Sequence, residues 1–252
     1  MLSTVLFLLA AGFLAGAVNA VAGGGSLLVF PALLAVGLPP LAANVTNSVA
    51  QWPGYAGIVL GARPELAGQR GRIVSTAGVA VLGSGLGCAL LLLLPGAVFD
   101  TVVPVLVLSA SLLMAAAPRL RRWIGDPEPG ASDRRSILLP AVFLASVYGG
   151  YFGGALGVIL IAVLTLCAHD SLARLNAVKG ALSLVIATVT VGVFALGAPV
   201  RWSAVALIAP STLAGGYLGA RLARRLPEPV LRWSVVLLGI AVAVYLWVDP
   251  AS

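Results

Sequence analysis

Gly23-Gly24-Gly25-Ser26-Leu27 interrupts an apolar run that begins at Leu2, and Phe152-Gly153-Gly154-Ala155-Leu156 interrupts another that begins at Ile137. Consecutive glycines disfavour helix continuation, so each run reads as a helix that stops and restarts. The likeness extends outward in constant order. Ala43-Asn44 returns as Leu175-Asn176, Leu82-Gly83-Ser84-Gly85-Leu86-Gly87 returns as Leu213 to Gly219 with one residue inserted, and Leu94-Pro95 returns as Leu226-Pro227. Shared order at a nearly constant offset argues for duplication. It divides the chain into a first transmembrane repeat over 1–117, a polar linker over 118–135 and a second repeat over 136–252.

Of 252 residues, 60% are hydrophobic and only 9% are charged. A soluble domain of this length has no use for so much apolar surface. Runs long enough to cross a bilayer, at roughly 20 residues each, cover 2–22, 41–62, 73–94, 97–117, 137–152, 172–196, 203–222 and 230–248. Two shorter runs, 26–37 and 155–168, follow the glycine clusters. At 1.5 Å per residue these span only about 20 Å of a hydrocarbon core about 30 Å thick, as half-helices or tightly broken helices do. The expected fold is an all-α polytopic membrane protein with eight long helices and two short or broken ones, about five segments per repeat.

The isoelectric point near 10.3 would suggest nucleic acid in a soluble chain. Here the arginines sit in the joints: Arg63, Arg70 and Arg72, then Arg119, Arg121, Arg122, Arg134 and Arg135, then Arg221, Arg224, Arg225 and Arg232. The positive-inside rule places all three groups in the cytoplasm. If both short runs cross, every basic residue except Arg201 faces that side; if both are re-entrant, the loop from Arg221 to Arg232 moves outside. The crossing arrangement is favoured, with both termini outside. An odd number of segments per repeat makes the repeats inverted, as in many secondary transporters. The small residues Ala17-Val18-Asn19-Ala20 would suit signal-peptide cleavage, but no basic residue precedes the apolar run, so the segment is kept as part of the first repeat.

Polar groups inside apolar runs are the candidates for function. Asn44, Asn47 and Gln51 fall at spacings of three and four and share one helix face. Asn176, Lys179 and Ser183 are the matched positions of the second repeat. Helix–helix hydrogen bonding is the competing use of such residues. Lys179 is the only lysine; it either snorkels to the cytoplasmic surface or points inward and offers its charge to an anion. A half-helix starting at Ser26 or Ala155 aims unpaired N–H groups and a positive dipole end at the break before it. Gly23, Gly24 and Gly25, with Gly153 and Gly154, let an oxyanion approach closely, and Ser26 caps the helix or donates directly. For Gly215, Gly216 and Gly219, close helix packing is the better reading.

Catalytic signatures are lacking: there is no HExxH, no nucleotide-binding loop and no Gly-x-Ser-x-Gly elbow. No carboxylate pair lies in the apolar segments. Cys88 and Cys167 read as small packing hydrophobes, with neither a disulfide framework nor metal-ligand spacing. No catalytic residue, metal or cofactor is expected. His169 and Asp170, after the second short helix, either carry a coupling proton or form a solvated loop.

Asn19-Ala20-Val21-Ala22-Gly23-Gly24-Gly25-Ser26, then Pro31, Gly37-Leu38-Pro39-Pro40 and Ala43-Asn44-Val45-Thr46-Asn47-Ser48 resemble the first repeat of the sulfite exporter TauE/SafE family. Leu175-Asn176-Ala177-Val178-Lys179 and Gly215 to Leu222 agree with its second repeat. The resemblance covers almost the whole chain. It implies a bacterial or archaeal inner-membrane permease for small anions such as sulfite and organosulfur anions, with Asn19 and Thr46 added to the site. Phe152 and Val178 depart from the first repeat's Gly and Thr, so the site is expected to be asymmetric. The expected partners are a small anion, the lipid bilayer and a coupling ion, proton or sodium, with no nucleic acid. An anion channel built on the same groups is the alternative, and a membrane-embedded enzyme a more remote one.

Overall fold

The computed structural model describes residues 2–124, 133–222 and 228–248. Residues 125–132 of the linker, Arg224, Arg225 and the Leu226-Pro227 match lie outside the described residues. The helices are α1 Leu2–Val21, α2 Ser26–Ala35, α3 Pro40–Gly61, α4 Arg63–Leu66, α5 Arg70–Leu93, α6 Gly96–Ile124, α7 Arg135–Tyr151, α8 Leu156–Cys167, α9 Leu172–Gly197, α10 Trp202–Leu222 and α11 Glu228–Val248. Strands are absent among the described residues. Among the described residues, six helices are long and apolar enough to cross a membrane: α1, α5, α6, α9, α10 and α11. The central helix α3 is long enough, but its polar face lowers its hydropathy.

The two breaks close in the same way. Gly23 takes φ +84°, and the N–H groups of Ala22 and Gly23 both return to the Val18 carbonyl at 2.7 and 2.9 Å. Gly153 takes φ +75°, and Phe152 and Gly153 return to the Tyr148 carbonyl at 2.9 and 3.1 Å. A left-handed residue at a helix C-terminus satisfies carbonyls that would otherwise lack partners, and glycine adopts it without a Cβ clash.

The remaining glycines set helix distances. A Cβ on Gly215 would run into the Phe13 carbonyl, and one on Gly219 would meet Ala17 Cα at 2.7 Å. In the other half, a Cβ on Gly83 would meet the Phe143 carbonyl at 2.5 Å, and one on Gly87 would run into the Val147 carbonyl. So α1 packs on α10 and α7 packs on α5, each pair running parallel, through the small residues that closest approach requires. Further pairings match under exchange of the halves: α3 with α10 and α9 with α5, α2 with α11 and α8 with α6. Trp52 donates to Thr188 at 2.9 Å, while Ile58 lies against Gly180. Later residues of α3 therefore meet earlier residues of α9, and the two helices cross antiparallel at the centre.

A polar cluster ties the face where α5, α7 and α9 begin. Arg72 forks onto Asp133 with two 2.8 Å bonds and reaches Asp170 at 3.3 Å, and Gln69 donates to Asp170 at 2.6 Å. Arg72 beside Asp133 holds that carboxyl below the usual carboxylate range. Burial pushes the Asp170 carboxyl up, but donors from Gln69, the Ser171 N–H and Arg72 outweigh it and hold it low as well. Carboxylates with lowered folded values stabilise above their unfolded value near 4 and lose that contribution as pH falls through the folded values. Arg72→Gln is therefore expected to destabilise the detergent-solubilised protein at pH 7 by about 1–3 kcal/mol. The difference from wild type should shrink as pH falls below about 4 and on through the lowered folded values of the two carboxylates. A thermal-unfolding offset that persists unchanged at low pH would assign the loss to packing instead.

Candidate substrate site

The two breaks meet at the centre of the molecule. Gly157, one residue into α8, donates its N–H to the Gly23 carbonyl at 3.1 Å, and a Cβ on Gly157 would stand 2.5 Å from Gly23 Cα. Gly157 was not among the sequence candidates; its signal was a fourth small residue, one position past Leu156, after Gly153-Gly154-Ala155.

Around this crossing, each half supplies an amide to the other half's broken helix. Asn44 on α3 donates to the Tyr151 carbonyl at the end of α7 at 2.9 Å. Asn176 on α9 donates to the Ala20 carbonyl at the end of α1 at 2.8 Å. Carbonyls of a last helical turn have no partner within their own helix, so both asparagines satisfy a defined need. Asn44 keeps a second polar atom unused, since its Oδ1 is buried without a hydrogen-bond partner.

The symmetry then breaks. Lys179 is 2% exposed and donates through Nζ to the Asn19 carbonyl at 3.0 Å. Of the two orientations open to it, the structure takes the inward one. Asn19 is a junction: its Oδ1 accepts from Gly25 N–H at 2.7 Å, and its Nδ2 donates to Gln51 at 3.0 Å. Gln51 passes the chain on to Asn47 at 3.3 Å. One connected group thus joins the start of α2, the polar stripe of α3 and the last turn of α1, with the only lysine bound to it.

The other candidates are placed as follows. Ser26 does not cap, because Gly25 occupies the N-cap position without a side-chain cap. Ser26 instead lines a small cavity of about 20 Å³ with Gln51, Tyr55, Ser183, Thr190 and Gly153, room for about one water. Gly24 faces Met114 of α6, Gly25 lies against the Ala15 carbonyl, and Gly154 lies under the Phe152 ring. Tyr148 donates to the Gly154 carbonyl at 2.6 Å. Thr46 stands apart, accepting from the Arg201 N–H at 2.9 Å at the start of α10. His169 and Asp170 belong to the polar cluster around Arg72 rather than to the central group. Tyr55 was missed in the sequence, although it continues the stripe four residues beyond Gln51.

A second cavity, of about 750 Å³, opens beside the ends of α3 and α10 and is lined by Arg63, Glu65, Asn176, Tyr217 and Arg221 among others. The Arg221 guanidinium stacks 4.6 Å from the centre of the Tyr217 ring, a cation–π contact that holds the charge at the cavity wall. No group of three or more His, Cys, Asp and Glu able to hold a metal occurs among the described residues. The central group offers amides, hydroxyls and an ammonium. Such a set favours an anion over a cation.

Comparison with known proteins places this geometry in context. The sulfite exporter TauE/SafE family description matches residues 8–246. A probable membrane transporter protein of Sinorhizobium sp is 27% identical, over 97% of this chain and 92% of that protein. One from Haemophilus influenzae is 28% identical, over 90% and 88%. YfcA of Escherichia coli K12, also named a probable membrane transporter protein, is 33% identical over 88% of this chain and 79% of its own length. With a match over nearly its whole length and the multi-pass helical fold described above, the chain belongs to the sulfite exporter TauE/SafE family of membrane transporters.

Proposed function

We propose that the protein is a secondary permease of the bacterial inner membrane that moves small anions, sulfur oxyanions first among them, past the crossing of its two broken helices. The observation that carries this reading is Lys179, an ammonium buried where both halves meet and bonded to the Asn19 carbonyl. Charge inside a membrane protein is costly unless it is used. The reciprocal asparagine bonds, the matched helix pairings and the antiparallel crossing of α3 and α9 support two inverted repeats around that point. The basic residues near the large cavity support a cytoplasmic orientation for it.

A carrier accounts for the cavities better than a channel does. The central space holds about one water and the 750 Å³ cavity lies to one side of it, as expected when access alternates between faces. An enzyme is disfavoured because the central amides and hydroxyls include no acid–base pair.

Thermal unfolding of the purified protein with sulfite, thiosulfate, methanesulfonate, acetate and chloride tests the substrate class. A sulfur oxyanion at a hundred times its Kd is expected to stabilise wild type by about 2.7 kcal/mol. Asn47→Ala, which removes a member of the hydrogen-bonded chain, should need about tenfold more anion for the same shift. If acetate or chloride acts as strongly as any sulfur oxyanion, the selectivity is for charge alone; if none acts, the anion reading fails.

A further inference from the structure

The large and the small cavity are paved by the same two helices. α3 supplies Ile58 and Gly61 to the first and Tyr55, Gln51 and Ser48 to the second, while α9 supplies Asn176 and Ala177 to the first and Ser183 and Thr190 to the second. What divides them is the stretch of α3 and α9 in between, with the end of α1 laid across it. Lys179 lies in that stretch, three residues beyond Asn176 and four short of Ser183. Its ammonium holds the Asn19 carbonyl at 3.0 Å, and Asn176 holds the next carbonyl, Ala20, at 2.8 Å. Ile58 fills the space over Gly180 alongside. Two donors from α9 therefore keep the last turn of α1 across the path between the cavities.

The two donors differ in what can displace them. The Asn176 amide is short and fixed in direction. The lysine ammonium is a point charge on a flexible stem, and an anion is a stronger acceptor for it than a neutral carbonyl. On the reading of this protein as an anion permease, we infer that Lys179 is the gate between a basic vestibule and the central cavity. Its ammonium exchanges the Asn19 carbonyl for an arriving anion, and the exchange frees the last turn of α1 so that the two spaces join. Arg63 and Arg221 raise the anion concentration on the vestibule side, and the Tyr217 ring keeps Arg221 there. Polarity of substrate and opening of the path are thereby linked through one side chain.

The test is accessibility, which needs no substrate. Ser183→Cys reports the central cavity and Ala173→Cys the vestibule; the native Cys88 and Cys167 are buried, and the parent protein sets the background. A membrane-impermeant methanethiosulfonate reagent is applied to the face bearing Arg63 and Arg221. Ser183→Cys is expected to react at least about tenfold faster with Lys179→Met than with Lys179, the change that loss of one charge-assisted hydrogen bond produces. Lys179→Arg should keep it slow, and Ala173→Cys should react alike in every background, which also checks folding. Equal Ser183→Cys rates with lysine and methionine overturn the gate. So does opening by Lys179→Ala but not by Lys179→Met, which would make the side chain a plug by volume alone. Methanesulfonate should accelerate Ser183→Cys labelling in the Lys179 protein. If anions stabilise the protein but labelling ignores Lys179, the gate alone falls; if Lys179→Met opens the path and no anion either binds or accelerates labelling, the exchange and the permease reading fall together.

Discussion

Gly157→Val is expected to prevent the protein from assembling its centre, with little or no monodisperse material recovered from detergent and no anion response in what remains. The reason is backbone against backbone. A Cβ at Gly157 would sit 2.5 Å from Gly23 Cα and 2.9 Å from the Gly23 carbonyl oxygen, and neither has a rotamer by which to move aside. Overpacking a core with flexible side chains costs about 1–3 kcal/mol; here the chain itself must shift, and the cost lies at or above the top of that range. The displaced element is the break in α1, whose φ of +84° at Gly23 is set by its own helix cap. Gly157→Ala should show the same effect in reduced form. Gly78→Ala and Gly192→Ala are the controls, because nothing lies within 4 Å of a Cβ at either position. Both are helical, so alanine should leave the unfolding midpoint unchanged or raise stability by up to about 1 kcal/mol. If Gly157→Val were as stable as those controls, the two breaks would not be in contact in the working protein.

Transport by Lys179→Gln is expected to fall between about tenfold and a hundredfold in reconstituted vesicles, while the purified variant remains folded. Glutamine retains neutral donors, about one bond short of the ammonium that bonds the Asn19 carbonyl at 3.0 Å, so the structural task is kept in part. It loses the charge. Hydrogen bonds to charged groups contribute about 1.5–3 kcal/mol, and each 1.36 kcal/mol is a factor of ten. Flux of whichever anion stabilises wild type, measured at several concentrations, separates the two uses of this residue. A variant that transports like wild type would make Lys179 a helix cap and nothing more. A variant that neither folds nor transports would show that the cap is indispensable, and Lys179→Arg, which keeps the charge, would then distinguish charge from shape.

Much of the fold was legible because its causes are local. The glycine runs at 23–25 and 153–154 disfavour helix continuation, and both breaks lie where those residues stand, whereas the pairs at 149–150 and 215–216 continue within α7 and α10. The eight long apolar runs correspond to α1, α3, α5, α6, α7, α9, α10 and α11, and the two short ones to α2 and α8. Spacings of three and four put Asn44, Asn47 and Gln51 on one face of α3 before any packing is known. Gly215, Gly216 and Gly219 do serve close packing, against α1 and α3. The site was harder to read. Ser26 was a reasonable N-cap by residue type, yet the Asn19 side chain accepts the Gly25 N–H from six residues away and takes over part of that task. Thr46 matches a motif but lies at the Arg201 end, since its helix begins there.

By itself, then, the sequence determined a multi-pass helical protein with two broken helices, a polar face on each central helix and a single lysine within one of them. Those follow from composition, glycine conformation and helical period, which act within a few residues. Only the tertiary structure decided that Asn44 and Asn176 serve the opposite half's helix ends, that Gly157 meets Gly23, and that Lys179 points inward. The partners of Asn44, Asn176 and Lys179 are 107, 156 and 160 residues away along the chain. A buried polar group must find a partner somewhere, but which carbonyl it finds depends on how the two halves cross.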